Sequence, residues 1–136
     1  MENKASFSLE EYFFSKVNID IDNKKSSEIG ISFDPSGKFL SASSEYELKF
    51  IFNALTDGSD SPFVTIECLA TFKFENIKNL DDIPTYFYRN SIAIIFPYVR
   101  AFISTVTLQA NIPPVVLPTM NLSSLEKPLR ENTAQI

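Results

Sequence analysis

Histidine and tryptophan are missing from this chain of 136 residues, which has one cysteine and only three glycines. Without histidine, the chain lacks the commonest general base near neutral pH and the commonest metal ligand in proteins. Histidine-based catalytic triads and histidine zinc sites are therefore excluded within the chain. The single cysteine, Cys68, cannot form an intrachain disulfide, which favours a reducing compartment. With so few glycines, no glycine-rich phosphate loop is present either.

Charge and composition restrict the partners that the protein can have. The net charge is −5 and the pI is near 4.7, so a nucleic acid or an anionic membrane surface would be repelled. Apolar residues make up 44% of the chain and charged residues 21%, which is typical of a globular domain. We expect one domain over residues 1–136, with 1–10 and 127–136 loose. The first six residues lack the features of a signal peptide, so a cytoplasmic location is expected.

Alternating apolar residues predict an antiparallel sheet. A first strand is predicted over about residues 11–22, where Val17, Ile19 and Ile21 alternate with polar residues. Residues 45–54 and 64–75 alternate more clearly, and the loop between them reads as a hairpin turn rather than a cation site. Asp34-Pro35-Ser36-Gly37 has the composition of a β-turn. Cys68 falls on an apolar strand face, which predicts a small core residue rather than a nucleophile.

A long helix is predicted to begin near Pro84. Apolar residues recur at helical spacing on one side of it, and the opposite side is also largely apolar. Arg100 is the only charge between Ser91 and Asn111, and Pro97 should kink the helix. The central arginine argues against a membrane span, because a lone arginine in lipid costs at least about 2.5 kcal/mol. A helix with two apolar sides needs a second subunit, unless loops of the same chain cover it.

Two irregular segments carry further apolar residues. The first spans residues 29–40 and the second spans residues 112–120, which include three of the eight prolines. These side chains can pack beneath the loops as satellite core. They can also line a groove for extended apolar peptide, if the two segments lie side by side. The residues themselves leave both interpretations open.

Several motifs in the second half of the chain resemble the SecB protein-export chaperones. The motifs are Ile95-Phe96-Pro97-Tyr98-Val99-Arg100, then Pro113, Leu117-Pro118, Met120-Asn121 and Leu125. The resemblance covers about residues 12–125. It implies an α+β subunit with a four-stranded antiparallel sheet, a long kinked helix on one face and a short C-terminal helix. It also implies a dimer of dimers.

The resemblance further implies an ATP-independent holdase that binds unfolded polypeptides and passes them to the SecA motor. It places client binding at Ile31, Phe33, Phe39, Leu40, Ile112, Val115, Val116, Leu117 and Met120. It places subunit contacts at Phe96, Tyr98, Arg100, Phe102 and Ile103. Asp22 and Glu67 match acidic motor contacts, whereas Asn18 stands where the family has a third acid.

Two alternatives to an export chaperone remain open from the sequence. Some SecB-like proteins hold the antitoxin of a toxin–antitoxin system, and the departures from the export pattern fit that use. A non-catalytic domain that binds a small ligand beneath the helix is the second alternative. Under each of them we expect no enzymatic activity, no cofactor and no metal.

Overall fold

A computed structural model describes residues 6–113, 115–117 and 121–136 of the chain. Its main elements are five strands and two helices. They are β1 (Phe7–Ile19), β2 (Ile29–Leu40), β3 (Glu45–Thr56), β4 (Val64–Phe74), α1 (Tyr86–Gln109), α2 (Glu126–Glu131) and β5 (Thr133–Gln135). The strands form one sheet in the order β1-β4-β3-β2-β5. The fold is α+β, with a mixed sheet of five strands where four antiparallel strands were predicted.

The hairpin of β3 and β4 forms the centre of the sheet and confirms the predicted alternation. Its register runs from the Glu45–Lys73 pair to the Ala54–Val64 pair. Side chains at the even positions of both strands are buried beneath α1. Cys68 is one of them and has no exposed surface. One face of the sheet thus carries the core, and the other, open face is polar for most of its length.

The prediction of a turn at Asp34-Pro35-Ser36-Gly37 was wrong. These residues lie within β2, which pairs with β3 without interruption from Ile29–Thr56 to Leu40–Glu45. The Gly37 amide donates to the carbonyl of Asn132, on the side away from β3. Because alternate residues of a strand point their amides to the same side, the nitrogen of Pro35 also faces outward. The missing N–H of the proline therefore costs no hydrogen bond with β3.

Strand β1 begins earlier than predicted and is irregular. It starts at Phe7, so residues 7–10 are ordered rather than loose, and it ends at Ile19 before a single 3₁₀ turn. Its register with β4 shifts between Leu9 and Glu11 and again between Phe14 and Lys16. Between these two bulges, Tyr12 and Phe14 pair with core-facing positions of β4, so they lie on the helix side of the sheet.

The C-terminal residues are docked on the sheet, although they were predicted to be loose. Strand β5 pairs in parallel with Gly37–Phe39 of β2. The Ile136 amide donates to the Phe39 carbonyl at 2.9 Å. Thr133 Oγ1 lies 2.6 Å from the buried hydroxyl of Tyr46 and donates to the Leu129 carbonyl. The short last helix, α2, was predicted and is present.

Helix α1 spans the sheet with one buried face. The residues of that face are Phe87, Tyr88, Ser91, Ile92, Ile95, Phe96, Val99, Ile103 and Thr107. Pro97 and Arg100 lie on the exposed side, so the arginine is not held in the core. Helix α1 is long and apolar enough to cross a membrane. Helices that pack in a protein core meet the same criteria, and the buried face of α1 belongs to the hydrophobic core.

Candidate functional site

An open groove runs along the exposed side of α1 beside the segment that follows the helix. Its volume is about 460 Å³. The residues that line it are Phe96, Pro97, Arg100, Ala101, Ser104 and Val116. The groove is apolar except for the Arg100 guanidinium and the Ser104 hydroxyl. Such a surface can bury apolar side chains but offers no group for acid–base chemistry.

Hydrogen bonds from α1 fix the wall of the groove at Val115 and Val116. The Val115 amide donates to Thr107 Oγ1 at 3.0 Å, and Ser104 Oγ donates to the Val115 carbonyl at 3.3 Å. With its backbone held on both sides, Val115 turns its side chain into the core. Val116, the next residue, is 66% exposed, and Leu117 is buried again. Val115 and Leu117 were predicted to bind clients, but their side chains are buried in the core of this structure and do not line the groove.

The edge of β2 adds a second apolar surface near the groove. Ile31 and Phe33 lie on the helix face of the sheet and are half-buried. The Phe33 ring lies 5.9 Å from the ring of Phe96, which also lines the groove. Phe96 thus links the β2 edge to the wall at Val116. The two segments that were predicted to form a groove therefore meet at one side chain.

Other residues of the predicted client site do not reach this surface. Phe39 has no exposed area and packs in the core. Leu40 pairs with Glu45 and lies on the opposite face of the sheet. Ile112 is half-buried against the core. Met120 lies outside the described residues.

The predicted subunit contacts divide between the core and the surface. Ile103 is fully buried and Phe96 is 7% exposed, so their apolar area is used within the protomer. Tyr98 is 44% exposed and stacks on Tyr12 at 4.5 Å, and Phe102 stacks on Phe14 at 3.9 Å. The sequence analysis missed Tyr12 and Phe14 as partners of α1. Their spacing of two along a strand was the available signal. Strict alternation would put Val17 on the other face, and the bulge between Phe14 and Lys16 brings it to the face of Tyr12 and Phe14.

We call this aromatic surface the β1–α1 patch. Its members are Tyr12, Phe14, Val17, Ile94, Tyr98, Phe102 and Leu108. Five of them are more than a third exposed, namely Tyr12, Val17, Ile94, Tyr98 and Leu108. The stacked pairs Tyr12–Tyr98 and Phe14–Phe102 join the edge strand to the helix within this patch. Large exposed apolar patches are typical of interaction surfaces, whereas apolar residues exposed singly are ordinary.

The two residues predicted to contact the motor lie in different surroundings, Glu67 on the open face of the sheet and Asp22 in the turn after β1. Glu67 lies between Lys49, whose Nζ is 3.8 Å from a carboxylate oxygen, and the Ser15 hydroxyl, which donates at 2.6 Å. Lys16 pairs with Glu67 across the strands. Asp22 is exposed in the 3₁₀ turn after β1. The Glu67 charge is thus partly compensated within the protomer.

Three titratable groups of the described residues have shifted pKa values, and all three lie in the core rather than in the groove. Burial raises the pKa of the Cys68 thiol from 9.0 to about 11. Burial also raises the pKa values of Tyr46 and Tyr88. Among the residues that the structure describes, no group of three or more His, Cys, Asp or Glu side chains could hold a metal ion.

Comparison with known proteins places the chain by sequence and by fold. No family model matches it. The uncharacterized protein MJ0357 of Methanocaldococcus jannaschii is 33% identical over 123 residues, which span 87% of this chain and 73% of that protein. This chain belongs to the family of that archaeal protein.

A solved structure has a fold similar to that of this chain. It is the SecB-like chaperone Rv1957 of Mycobacterium tuberculosis, in complex with a ChAD peptide from the Rv1956 HigA1 antitoxin. The TM-score is 0.69 at 14% identity, over 85% of this chain and 88% of that chain. The resemblance to SecB-like chaperones is thus confirmed at the level of the fold.

Proposed function

We propose that this protein is a holdase chaperone that binds extended, non-native polypeptide in the groove along α1. The observation that carries the proposal is the exposed apolar wall at Val116, joined through Phe96 to the half-buried Phe33 at the β2 edge. A SecB-like fold with this groove in place is suited to clients that share only exposed apolar segments.

Binding in such a groove needs no nucleotide and no reaction. Burying one large apolar side chain stabilises a complex by about 1.5–3 kcal/mol, so a few client residues suffice for useful affinity. The same energy is available to valine, leucine or phenylalanine, which explains how one groove accepts many clients. We therefore propose that the protein is not an enzyme and uses no cofactor.

Self-association through the β1–α1 patch is the second part of the proposal. The patch lies on one edge of the sheet and on the exposed side of α1, away from β5 at the other edge. A second copy of the chain would cover Tyr12, Tyr98 and their neighbours and leave the groove beside Val116 open. We propose a dimer of dimers built in this way, located in the cytoplasm.

The chaperone can serve one of two systems: it can hold an antitoxin as its client, or it can pass clients to the SecA motor for export. The compensated Glu67 weakens the acidic contact that the SecA motor would use. The SecB-like protein of similar fold was solved with an antitoxin peptide, which supports an antitoxin as the client here. We place the antitoxin first and export through SecA second.

The first experiment follows the aggregation of an unfolded client. Luciferase diluted from denaturant should stay soluble in the presence of an excess of the protein. Val116→Ser should weaken this protection several-fold without lowering the free energy of unfolding, because Val116 is 66% exposed. Ile136→Ser, at a residue that is 65% exposed beyond β5, is the matched control and should leave protection unchanged. Full aggregation with the wild-type protein would refute the chaperone proposal.

A small-ligand domain makes a different prediction for the purified protein. Native mass spectrometry of protein purified from its own cells would show one bound small molecule of constant mass. A chaperone would instead carry heterogeneous polypeptide. A constant small mass, with no effect of Val116→Ser on client aggregation, would favour the ligand-binding alternative.

A further inference from the structure

The outer side of β2 is occupied for only part of its length. Of the residues that the structure describes, β5 alone pairs with this side of β2, and it does so only at Gly37–Phe39. The preceding part, from Ile29 to Phe33, pairs with β3 on its inner side. Its outer side therefore forms a sheet edge within the described part of the chain. An edge of this kind can accept a further strand by main-chain hydrogen bonding.

The direction of the β2 amides can be derived from its C-terminal half. The Gly37 amide points outward to Asn132, and the Phe39 carbonyl points outward to the Ile136 amide. Amides of a strand alternate in direction, so every odd residue of β2 faces outward. The outward donors and acceptors are therefore those of Ile29, Ile31 and Phe33. Gly30 and Ser32 face inward, toward β3.

Pro35 separates the occupied half of the edge from the other half. Its nitrogen faces outward and carries no hydrogen, so a ladder that runs along β2 loses a bond there. Strand β5 lies on the C-terminal side of this break, and Ile29–Phe33 lies on the other side. The C-terminal strand thus pairs with one half of the edge, and within the described residues no strand pairs with the second half.

We infer that the Ile29–Phe33 edge of β2 pairs with an extended segment of the client, which adds a strand to the sheet beside the groove. This inference rests on the proposed chaperone function and specifies how the client is held. The client is an apolar polypeptide with alternating side chains. One set of them points to the helix side, next to Ile31, Phe33 and Phe96, and the other set points to the open face.

The residues on the two faces of this edge explain why the binding accepts many sequences. On the helix side, Ile31 and Phe33 are half-buried and offer apolar contact. On the open face, β2 presents Gly30 and Ser32, and nothing lies within 4 Å of a Cβ built at Gly30. Alternate client residues are therefore selected for apolar character, and the residues between them are left unrestricted. The main-chain hydrogen bonds themselves do not depend on the amino-acid sequence of the client.

Amide hydrogen exchange tests the inference on the whole protein. The probe is a capped octapeptide of alternating valine and lysine, with a block peptide of four valines and four lysines as the control for charge. On saturation with the alternating peptide, the amides of Ile31 and Phe33 should exchange at least roughly tenfold more slowly. The amides of Gly30 and Ser32 already pair with β3 and should change little. No added protection at Ile31 and Phe33 on saturation would overturn the inference.

Ester substitution in the probe isolates the main-chain bonds. Replacing alternate amides of the octapeptide by esters removes N–H groups and leaves every side chain in place. In one of the two possible sets the lost donors face β2, and that peptide should bind at least roughly tenfold more weakly. The other set should bind like the parent. Equal affinity of both sets and the parent would overturn the inference.

The outcomes separate this inference from the chaperone proposal. If Val116→Ser releases luciferase while Ile31 and Phe33 gain no protection, the groove binds clients and the edge does not. If luciferase aggregates fully beside the wild-type protein, the chaperone proposal itself fails. Protection of Ile31 and Phe33 that depends on protein concentration, without peptide, would assign the edge to a second copy and overturn the inference.

Discussion

Gly37 lies directly over the buried ring of Tyr46, and this contact decides which residue the position accepts. A Cβ built at Gly37 would overlap the Tyr46 hydroxyl and the ring carbon that bears it. Gly37→Ala must therefore push the tyrosine away from Thr133 and strain the core. We expect a loss of about 1–3 kcal/mol in the free energy of unfolding, measured by urea denaturation.

Gly30→Ala is the matched control for that substitution. It lies in the same strand, and nothing lies within 4 Å of a Cβ built there. Since glycine is unfavourable inside a strand, this variant should be as stable as the wild type or slightly more stable. Equal losses for the two variants would show that the Tyr46 contact is not the cause.

Because the pKa of Cys68 is raised by burial, we expect the free energy of unfolding to fall at alkaline pH. The pKa of this thiol is about 11 in the folded chain and 9.0 ordinarily, so the folded state keeps the thiol proton that the unfolded state releases between these values. The unfolded state binds fewer protons there, and the free energy of unfolding therefore decreases as pH rises from 9 to 11. The thiol contributes its full stabilisation below pH 9.

Comparison with Cys68→Ala isolates this contribution from that of the buried tyrosines. Urea denaturation of both proteins at pH 8 and pH 11 should show a decrease that is roughly 1–3 kcal/mol larger for the wild type. Tyr46 and Tyr88 are present in both proteins and cancel in the difference. The same decrease in the two proteins would contradict the raised pKa of the thiol.

Side-chain direction in the segment after α1 could not be predicted from the sequence. Val115, Val116 and Leu117 are all apolar, and no alternation with polar residues marks which one faces outward. The choice is made by hydrogen bonds from Thr107 and Ser104 to the Val115 backbone, which depend on the fold of α1. In β3 and β4, by contrast, polar and apolar residues alternate, and this alternation identifies the apolar side as the buried face.

At the scale of elements, the C-terminal strand pairs with β2 and also makes a side-chain hydrogen bond to a buried tyrosine of the core. Thr133 Oγ1 and the Tyr46 hydroxyl lie 2.6 Å apart, and the tyrosine has no exposed surface. Thr133→Val keeps the shape of the side chain but leaves the buried hydroxyl without this partner. We expect a loss of about 1–3 kcal/mol in the free energy of unfolding.

A double-mutant cycle with Tyr46→Phe tests the contact itself. Phenylalanine removes the hydroxyl, so Thr133→Val should cost less in that background, with a coupling of about 0.5–3 kcal/mol. Urea denaturation of the four proteins supplies the cycle. Additive losses would mean that the docking of β5 does not depend on this bond.

Strand β2 shows where local signals mislead. Asp34-Pro35-Ser36-Gly37 has turn composition, yet the pairing of twelve residues with β3 overrides it. Two of these residues, Pro35 and Gly37, have a tertiary reason that the sequence alone does not reveal. The outward nitrogen of Pro35 needs no partner in β3, and Gly37 makes room for Tyr46. The docked strand β5 was missed because three residues carry too little pattern to identify a strand.

At the scale of the whole molecule, α1 serves three surfaces at once. Its buried face completes the core, its side next to β1 carries Tyr98 and Phe102, and its side next to Val116 lines the groove. The sequence predicted that a helix apolar on both sides must contact more than its own sheet. It did not separate the assembly side from the groove side, because that division depends on where β1 and the segment after α1 lie.

The β1–α1 patch predicts that assembly can be broken without harming the protomer. Tyr98 is 44% exposed and stacks only at the surface, on Tyr12. Tyr98→Glu would place a charge within the apolar contact, where burying it without a partner costs several kcal/mol. We expect sedimentation velocity to show smaller species than the wild type, with the far-UV circular dichroism unchanged. Tyr98→Phe keeps the stacking ring and should assemble normally. If Tyr98→Glu sediments like the wild type, the subunits meet elsewhere, and the exposed aromatic side chains of β1 and α1 need a different partner.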